Sequence, residues 1–304
     1  MFATLLGPLP RPPLGADASD RELVEAAVRA QEAAGLEPIT DGGFGGRESP
    51  VERWRVTAAL TTRAVKQALL GPYTVGRAAV GGASGAAARE EATLVAADAL
   101  NTDLRALASA GCPLIEIHEP AATAIGADER ERALFREAQR CLSDGVEGPH
   151  LSLAISGGNA DAATVETLLS ARYASLALDL IAGPDNWRLV VATPGDRGIV
   201  CGALSPAPGS DDGTELLLWA AAYAASTGSR GPARVGLATA SSLASLPWAA
   251  AVTKLRRLGE AARLADLPPD ELRRSIDPRA VDIRSAALGR VEPRRPSQRR
   301  RPRP

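Results

Sequence analysis

The stretch RVGLATASSLASLPWAAAVTKL, residues 234–255, holds a short apolar run, a Ser-rich turn and an amphipathic segment in that order. LSLAISGGN, at 151–159, repeats the first two parts. A short apolar run that breaks into small polar residues reads as a buried strand leaving a sheet. Pro247 suits the first turn of the following helix, where its missing N–H has no intrahelical partner to lose. Val252, Leu255 and Leu258 then recur at helical spacing and form one apolar face. The parts make a strand–turn–helix unit.

The unit recurs outward along the chain. Strands are expected at 3–9, 37–40, 66–72, 113–119, 150–156, 175–181, 198–204 and 234–239. Helices are expected at about 20–34, 48–61, 87–110, 128–143, 162–171, 185–190, 212–226 and 247–265, with Leu100, Leu104 and Leu107 marking the apolar face of the third. Eight strands, each followed by a helix, is the count for an α/β protein built as a single (β/α)8 barrel of TIM type, here over residues 1–266. Residues 267–304 are rich in Pro and Arg and end in RRPSQRRRPRP. That composition opposes both helix and sheet, so a disordered basic tail is expected, either a solvated terminus or a contact for an acidic surface.

Composition narrows the function classes. The chain has 304 residues, 45% hydrophobic and 23% charged, which suits a soluble globular enzyme. Aromatics are only 3%, so Ala, Leu and Val must build the core. Seven Arg against one Glu lie in 290–304, yet the whole chain carries −1, so the body is net acidic. A net-acidic body argues against nucleic acid as the main ligand. Cys112, Cys141 and Cys201 show no C-x-x-C spacing and fit a reducing cytoplasm. The longest apolar run, LLLWAAAYAA at 216–225, is too short for a membrane span, and MFATLLGPLPRPP does not read as a signal peptide. A small-molecule substrate is the expected partner.

Candidate chemistry gathers at the carboxyl ends of the expected strands, where barrel active sites form. In AGLEPITDGGFGGRE (34–48), Asp41 ends a strand before a glycine turn, as a catalytic group or as a cap for that turn. In KQALLGPYT (66–74), Tyr73 and Thr74 either face the mouth or belong to turn chemistry alone. AGCPLIEIHEPAAT (110–123) ends its strand in His118 and Glu119, a pair suited to moving a proton, although His118 could also be a structural, hydrogen-bonded residue. Asp179 lies within the apolar strand LALDLIAG, where a carboxylate needs a partner or a function, and burial would favour a general base. Ser156 and Asn159 follow one strand, and Ser241 and Ser242 another; they could bind an anion at the mouth or simply turn the chain. His150 begins its strand, and four residues of rise place it about 13 Å from the level of Ala154, toward the opposite face of the barrel.

The order of these segments resembles the catalytic domain of the cobalamin-independent methionine synthase family across about residues 3–265. LLGPLPR (5–11), with Arg11, is similar to its opening strand and turn, TDGG (40–43) to its TDGE, LLGPYT (69–74) to its GPyT, and IEIHEPA (115–121) to its IqiDEPa. The resemblance implies the barrel fold, a zinc site, a methyl-folate donor and a homocysteine pocket. It also places Ala154, Ser156 and Ser241 where that family carries His and Cys zinc ligands, and Asp179 where it carries a glutamate ligand. Gly43 and His118 fall where the family contacts homocysteine through carboxylates. Zinc would retain one ligand of the usual four, so neither metal nor cofactor is expected.

Three readings follow. One is a zinc-independent enzyme of methyl-transfer or one-carbon ancestry, with His118, Glu119 and Asp179 catalytic and Arg11, Asp41, Tyr73, Thr74, Ser156, Asn159, Ser241 and Ser242 binding substrate. Another is a non-catalytic barrel that binds a ligand or partner. The third is zinc-dependent methionine synthesis, if the ligand positions are misaligned.

Overall fold

A computed structural model describes residues 1–80, 85–210, 213–268 and 271. Nearly all of the expected basic tail lies outside these residues. The described residues form a parallel seven-stranded sheet: β1 (Phe2–Thr4), β2 (Lys66–Leu70), β3 (Leu114–His118), β4 (His150–Ile155), β5 (Ser175–Asp179), β6 (Gly198–Leu204) and β7 (Val235–Thr239). Their spatial order is β1-β7-β6-β5-β4-β3-β2, so neighbours in sequence from β2 to β7 are neighbours in the sheet. Parallel neighbours need a crossover, and the intervening helices supply it.

The expected second strand, 37–40, is reduced to a single bridge between Ile39 and Val65. Its backbone still reaches both sheet edges. Glu37 N–H donates to the Ala3 carbonyl, while Ile39 exchanges bonds with Ala64 and Lys66. Pro38 has no N–H to give to a ladder, and it sits in the middle of this short segment. The Thr4 hydroxyl donates to the Pro38 carbonyl at 2.9 Å.

The helices are α1 (Asp20–Ala33), α2 (Pro50–Ala58), α3 (Pro72–Ala79), α4 (Ala86–Ser109), α5 (Glu129–Ser143), α6 (Val165–Leu168), α7 (Trp187–Ala192), α8 (Thr214–Ser226) and α9 (Trp248–Ala265). Ser19 caps α1, with Glu22 completing a capping box, and Ser49 caps α2. Two helices differ from expectation. GPYT is not a bare turn: Gly71 is the N-cap and Pro72 the first residue of α3. The helix expected over 162–171 shrinks to α6, because Thr164 sits at φ +70° and divides it from the short 3-10 turn Asp161–Ala163.

The main core lies between sheet and helices, where Ile115, Ile117, Leu153, Leu176, Leu178 and Leu237 meet Leu104, Leu107, Phe135, Leu217 and Leu255. Full burial of such side chains contributes roughly 1.5–3 kcal/mol each. The concave inner side is lined differently. Leu6, Ala154, Ala177, Val200 and Ala238 form a small cluster there, and Gly236 makes room for the Phe2 ring, whose nearest atom would lie 2.3 Å from an added Cβ. Small residues leave space on that side for three polar side chains of β2 and β3.

Candidate functional site

Alternation along β3 turns Ile115 and Ile117 toward the helices and Glu116 and His118 inward. Lys66 of β2 reaches Glu116, with Nζ 2.7 Å from Oε2, and both residues are buried. The other carboxylate oxygen lies 2.8 Å from His118 Nε2. Burial acts to raise the Glu116 carboxyl, but the Lys66 ammonium and the His118 ring override it and hold it at about 2. Glu116 is therefore ionised. An ionised carboxylate accepts only, so His118 carries hydrogen on Nε2, leaving Nδ1 as the basic nitrogen when the ring is neutral.

His118 opens onto a cavity of about 280 Å3 at the carboxyl ends of the strands, bounded also by Pro8, Asp41, Gly43, Arg53, Leu70 and Glu116. Arg53, from α2, donates through Nε and Nη2 to Asp41 Oδ2 at 3.1 and 2.8 Å. The other Asp41 oxygen accepts Gly43 N–H at 2.8 Å. Gly43 stands at φ +87°, and an added Cβ would come 2.5 Å from Pro8, so the turn requires glycine there. The cavity thus sets an imidazole and a guanidinium–carboxylate pair in one volume.

The other expected catalytic groups are committed elsewhere. Glu119 is completely buried and points to the helix layer. It accepts from Tyr73 N (3.0 Å), Thr74 N (2.8 Å), Thr74 Oγ1 (2.5 Å) and Gln139 Nε2 (2.7 Å). It anchors the first turn of α3, while Glu116, not Glu119, orients His118. Burial pushes the Glu119 carboxyl up to about 7 despite these four donors. Asp179, 1% exposed, accepts backbone N–H from Gly157 (3.0 Å), Ile181 (2.9 Å) and Ala182 (2.8 Å). It ties the turns after β4 and β5 and does not line the His118 cavity. No hydrogen bond joins His118 to Asp179, the expected acid/base pair.

Among the expected substrate contacts, only Asp41 lines this cavity. Tyr73 is buried outside it, with its hydroxyl 2.6 Å from Glu131 and its ring edge-on to Phe135, and burial raises the phenol. Thr74 spends its hydroxyl on Glu119 and on Ala121 N–H. Arg11 folds back onto the Gly15 and Ala16 carbonyls. Asn159 pairs with Asp185 across two loops, and Ser242 bonds the Pro8 carbonyl. Ser156 and Ser241 are half-buried just beyond β4 and β7, outside the cavity lining. His150 sits at the amino end of the sheet, with Nε2 2.8 Å from Ser175 Oγ.

Lys66, Glu116 and Arg53 escaped the sequence reading. Lys66 and Glu116 each interrupt an apolar strand, the signal that drew attention to Asp179. Arg53 looks like any arginine on an exposed helix until Asp41 is placed beside it.

Fold and site together define a parallel α/β protein with its polar groups at the carboxyl edge of a curled sheet. Solved structures share that architecture. The chain resembles the B12-independent methionine synthase from Shewanella sp. W3-18-1, solved in complex with selenomethionine: TM-score 0.72, 15% identity, 87% of this chain and 98% of that one. It resembles a Listeria monocytogenes protein provisionally designated a vitamin B12-independent methionine synthase, with TM-score 0.65, 14% identity and coverage of 86% and 97%. A methyltransferase from Methanosarcina mazei superposes with TM-score 0.50 and 15% identity over 70% of this chain and 63% of that one. No protein-family model and no curated protein matches the sequence. The fold of the chain is that of these proteins.

Proposed function

We propose that the protein is a zinc-independent enzyme of the methionine synthase superfamily, with an altered small substrate held in the His118 cavity. The reading treats the 37–40 segment as a vestigial eighth stave that completes a (β/α)8 barrel. The observation that carries it is His118, held by a buried carboxylate and opening into a cavity it shares with the Arg53–Asp41 pair. A histidine oriented through Nε2 by a carboxylate presents Nδ1 as a base and, once protonated, as an acid. Arg53 supplies positive charge for a carboxylate or other anionic group of the substrate, and Asp41 fixes the guanidinium plane.

The donor set does not suit zinc. The positions that the resemblance equates with His and Cys ligands hold Ala154, Ser156 and Ser241, and Asp179 already receives three backbone N–H bonds. A methyl group and two hydroxyls cannot replace imidazole and thiolates around that ion. Among the described residues no group of three or more His, Cys, Asp and Glu is placed to hold a metal. Proton transfer at His118 needs none.

A non-catalytic barrel is the second reading. It gains from Glu119 and Asp179 serving structure, so the case for an enzyme rests on the Glu116–His118 pair and the cavity. A thermal-shift panel of amino acids, thioethers and small carboxylates tests the site. Compounds that stabilise the protein should lose that effect in Arg53→Ala and His118→Ala. No stabilising compound, or equal stabilisation in both variants, rejects the site.

A further inference from the structure

A second cavity, of about 340 Å3, opens at the amino ends of the strands, lined by residues that include Phe2, Lys66, Glu116, His150, Ser152 and Arg234. Glu116 lines both this cavity and the mouth. One carboxylate therefore borders cavities at both ends of the sheet's concave side, with a lysine on one flank and a histidine on the other.

We infer that Lys66 is a positioning residue for His118, acting through Glu116, so that the proton affinity of the mouth imidazole is set partly from the amino end. The inference rests on the reading of His118 as the proton-handling group of the mouth. Its basis is competition for one charge. Lys66 Nζ takes Glu116 Oε2 at 2.7 Å, and His118 Nε2 takes Oε1 at 2.8 Å. The Lys66 cation both draws on the carboxylate that would favour imidazolium and repels that imidazolium directly.

Other charged groups border the two cavities. At the mouth, Asp41 is paired with Arg53. At the amino end, His150 bonds Ser175, which donates to Ser152, while Asp196 lies 3.8 Å from Arg197 and Arg234 borders the cavity. Of the inward residues around these three side chains, Ala68, Ala154 and Ala177 have no polar side-chain atoms, while Ser152, opposite Glu116 in the register of β3 and β4, accepts from Ser175. A barrel interior is ordinarily filled by bulky branched side chains, and replacing a buried ion pair by such residues is often neutral or stabilising. Packing alone gives no reason for this column.

The sequence makes the test practicable, because the chain has two histidines and two lysines, so selective isotope labelling resolves each side chain by NMR. Imidazole signals followed against pH give the protonated-to-neutral ratio of His118. Lys66→Met should raise that ratio at a fixed pH about tenfold, because it removes a nearby cation and frees the carboxylate. Glu116→Gln should lower it by a similar factor, and in that background Lys66→Met should have a smaller effect than in the wild-type protein. A change below threefold in Lys66→Met overturns the inference. Should Lys66→Met fail to fold, the wild-type protein still decides: the two side chains share one carboxylate, so protonation of His118 must change the field at Lys66 and displace its Cε signal. A flat Lys66 signal across the His118 transition refutes it. No ligand enters this measurement, so a failed ligand screen would reject the proposed function and leave the coupling standing.

Discussion

Glu119→Ala separates structure from chemistry at the strand end that looked most catalytic. The carboxylate is completely buried and accepts two backbone N–H groups from the first turn of α3, the Thr74 hydroxyl and the Gln139 amide. It thus caps a helix from another element, and loss of a cap costs about 1 kcal/mol. Each buried donor left without an acceptor costs about 1–3 kcal/mol, reduced where water enters the vacated space. The variant should therefore lose about 3–5 kcal/mol, near the upper range for one substitution. For a domain of this size that corresponds to a fall in Tm of roughly 10 °C. Urea unfolding and thermal melts followed by circular dichroism at pH 8, where the carboxylate is ionised, measure it. A loss below about 1 kcal/mol would refute the helix-anchoring argument and return Glu119 to the list of chemical groups.

The same residue carries a pH signature. Its carboxyl is raised from an ordinary 4.5 to about 7 when folded, so the folded state holds the extra proton between those values. That contribution, about 3 kcal/mol, is fully present below pH 4.5 and is lost as pH rises through about 7. Urea melts from pH 4.5 to 8 should show the decline, and Glu119→Gln should flatten it; an unchanged slope contradicts the assignment. Asp179→Ala strands three backbone N–H groups and should cost about 3 kcal/mol in urea melts. A variant of normal stability that no longer acts on substrate would make Asp179 chemical instead. Metal analysis after a chelator wash should find far less than one zinc per chain, and a stoichiometric zinc would revive methionine synthesis.

Much of the fold was legible because parallel strands buried on both faces read as apolar runs, and the runs at 66–72, 113–119, 150–156, 175–181, 198–204 and 234–239 contain β2 to β7. The second run, 37–40, keeps its place between β1 and Val65 but too few backbone bonds to form a ladder. The start of α3 was present in Gly71-Pro72 and was missed because the same residues also begin turns. Side-chain direction was the harder problem. His118 and Glu119 are adjacent in sequence and so point to opposite sides, one into the mouth and one into the helix layer. Glu116, two residues back, shares the His118 side, and period two could have identified it. Asp179 met the rule that a buried carboxylate needs partners, but those partners are backbone N–H groups of turns, which sequence does not reveal.

The most direct test of the account is turnover by the chelator-treated protein in a small-molecule extract, followed by mass spectrometry. The account predicts that at least one compound is consumed by the wild-type protein, that added zinc does not increase the rate, and that His118→Ala lowers it on the order of 10²–10⁴-fold. No consumption, equal consumption by His118→Ala, or consumption only after zinc is restored would contradict it.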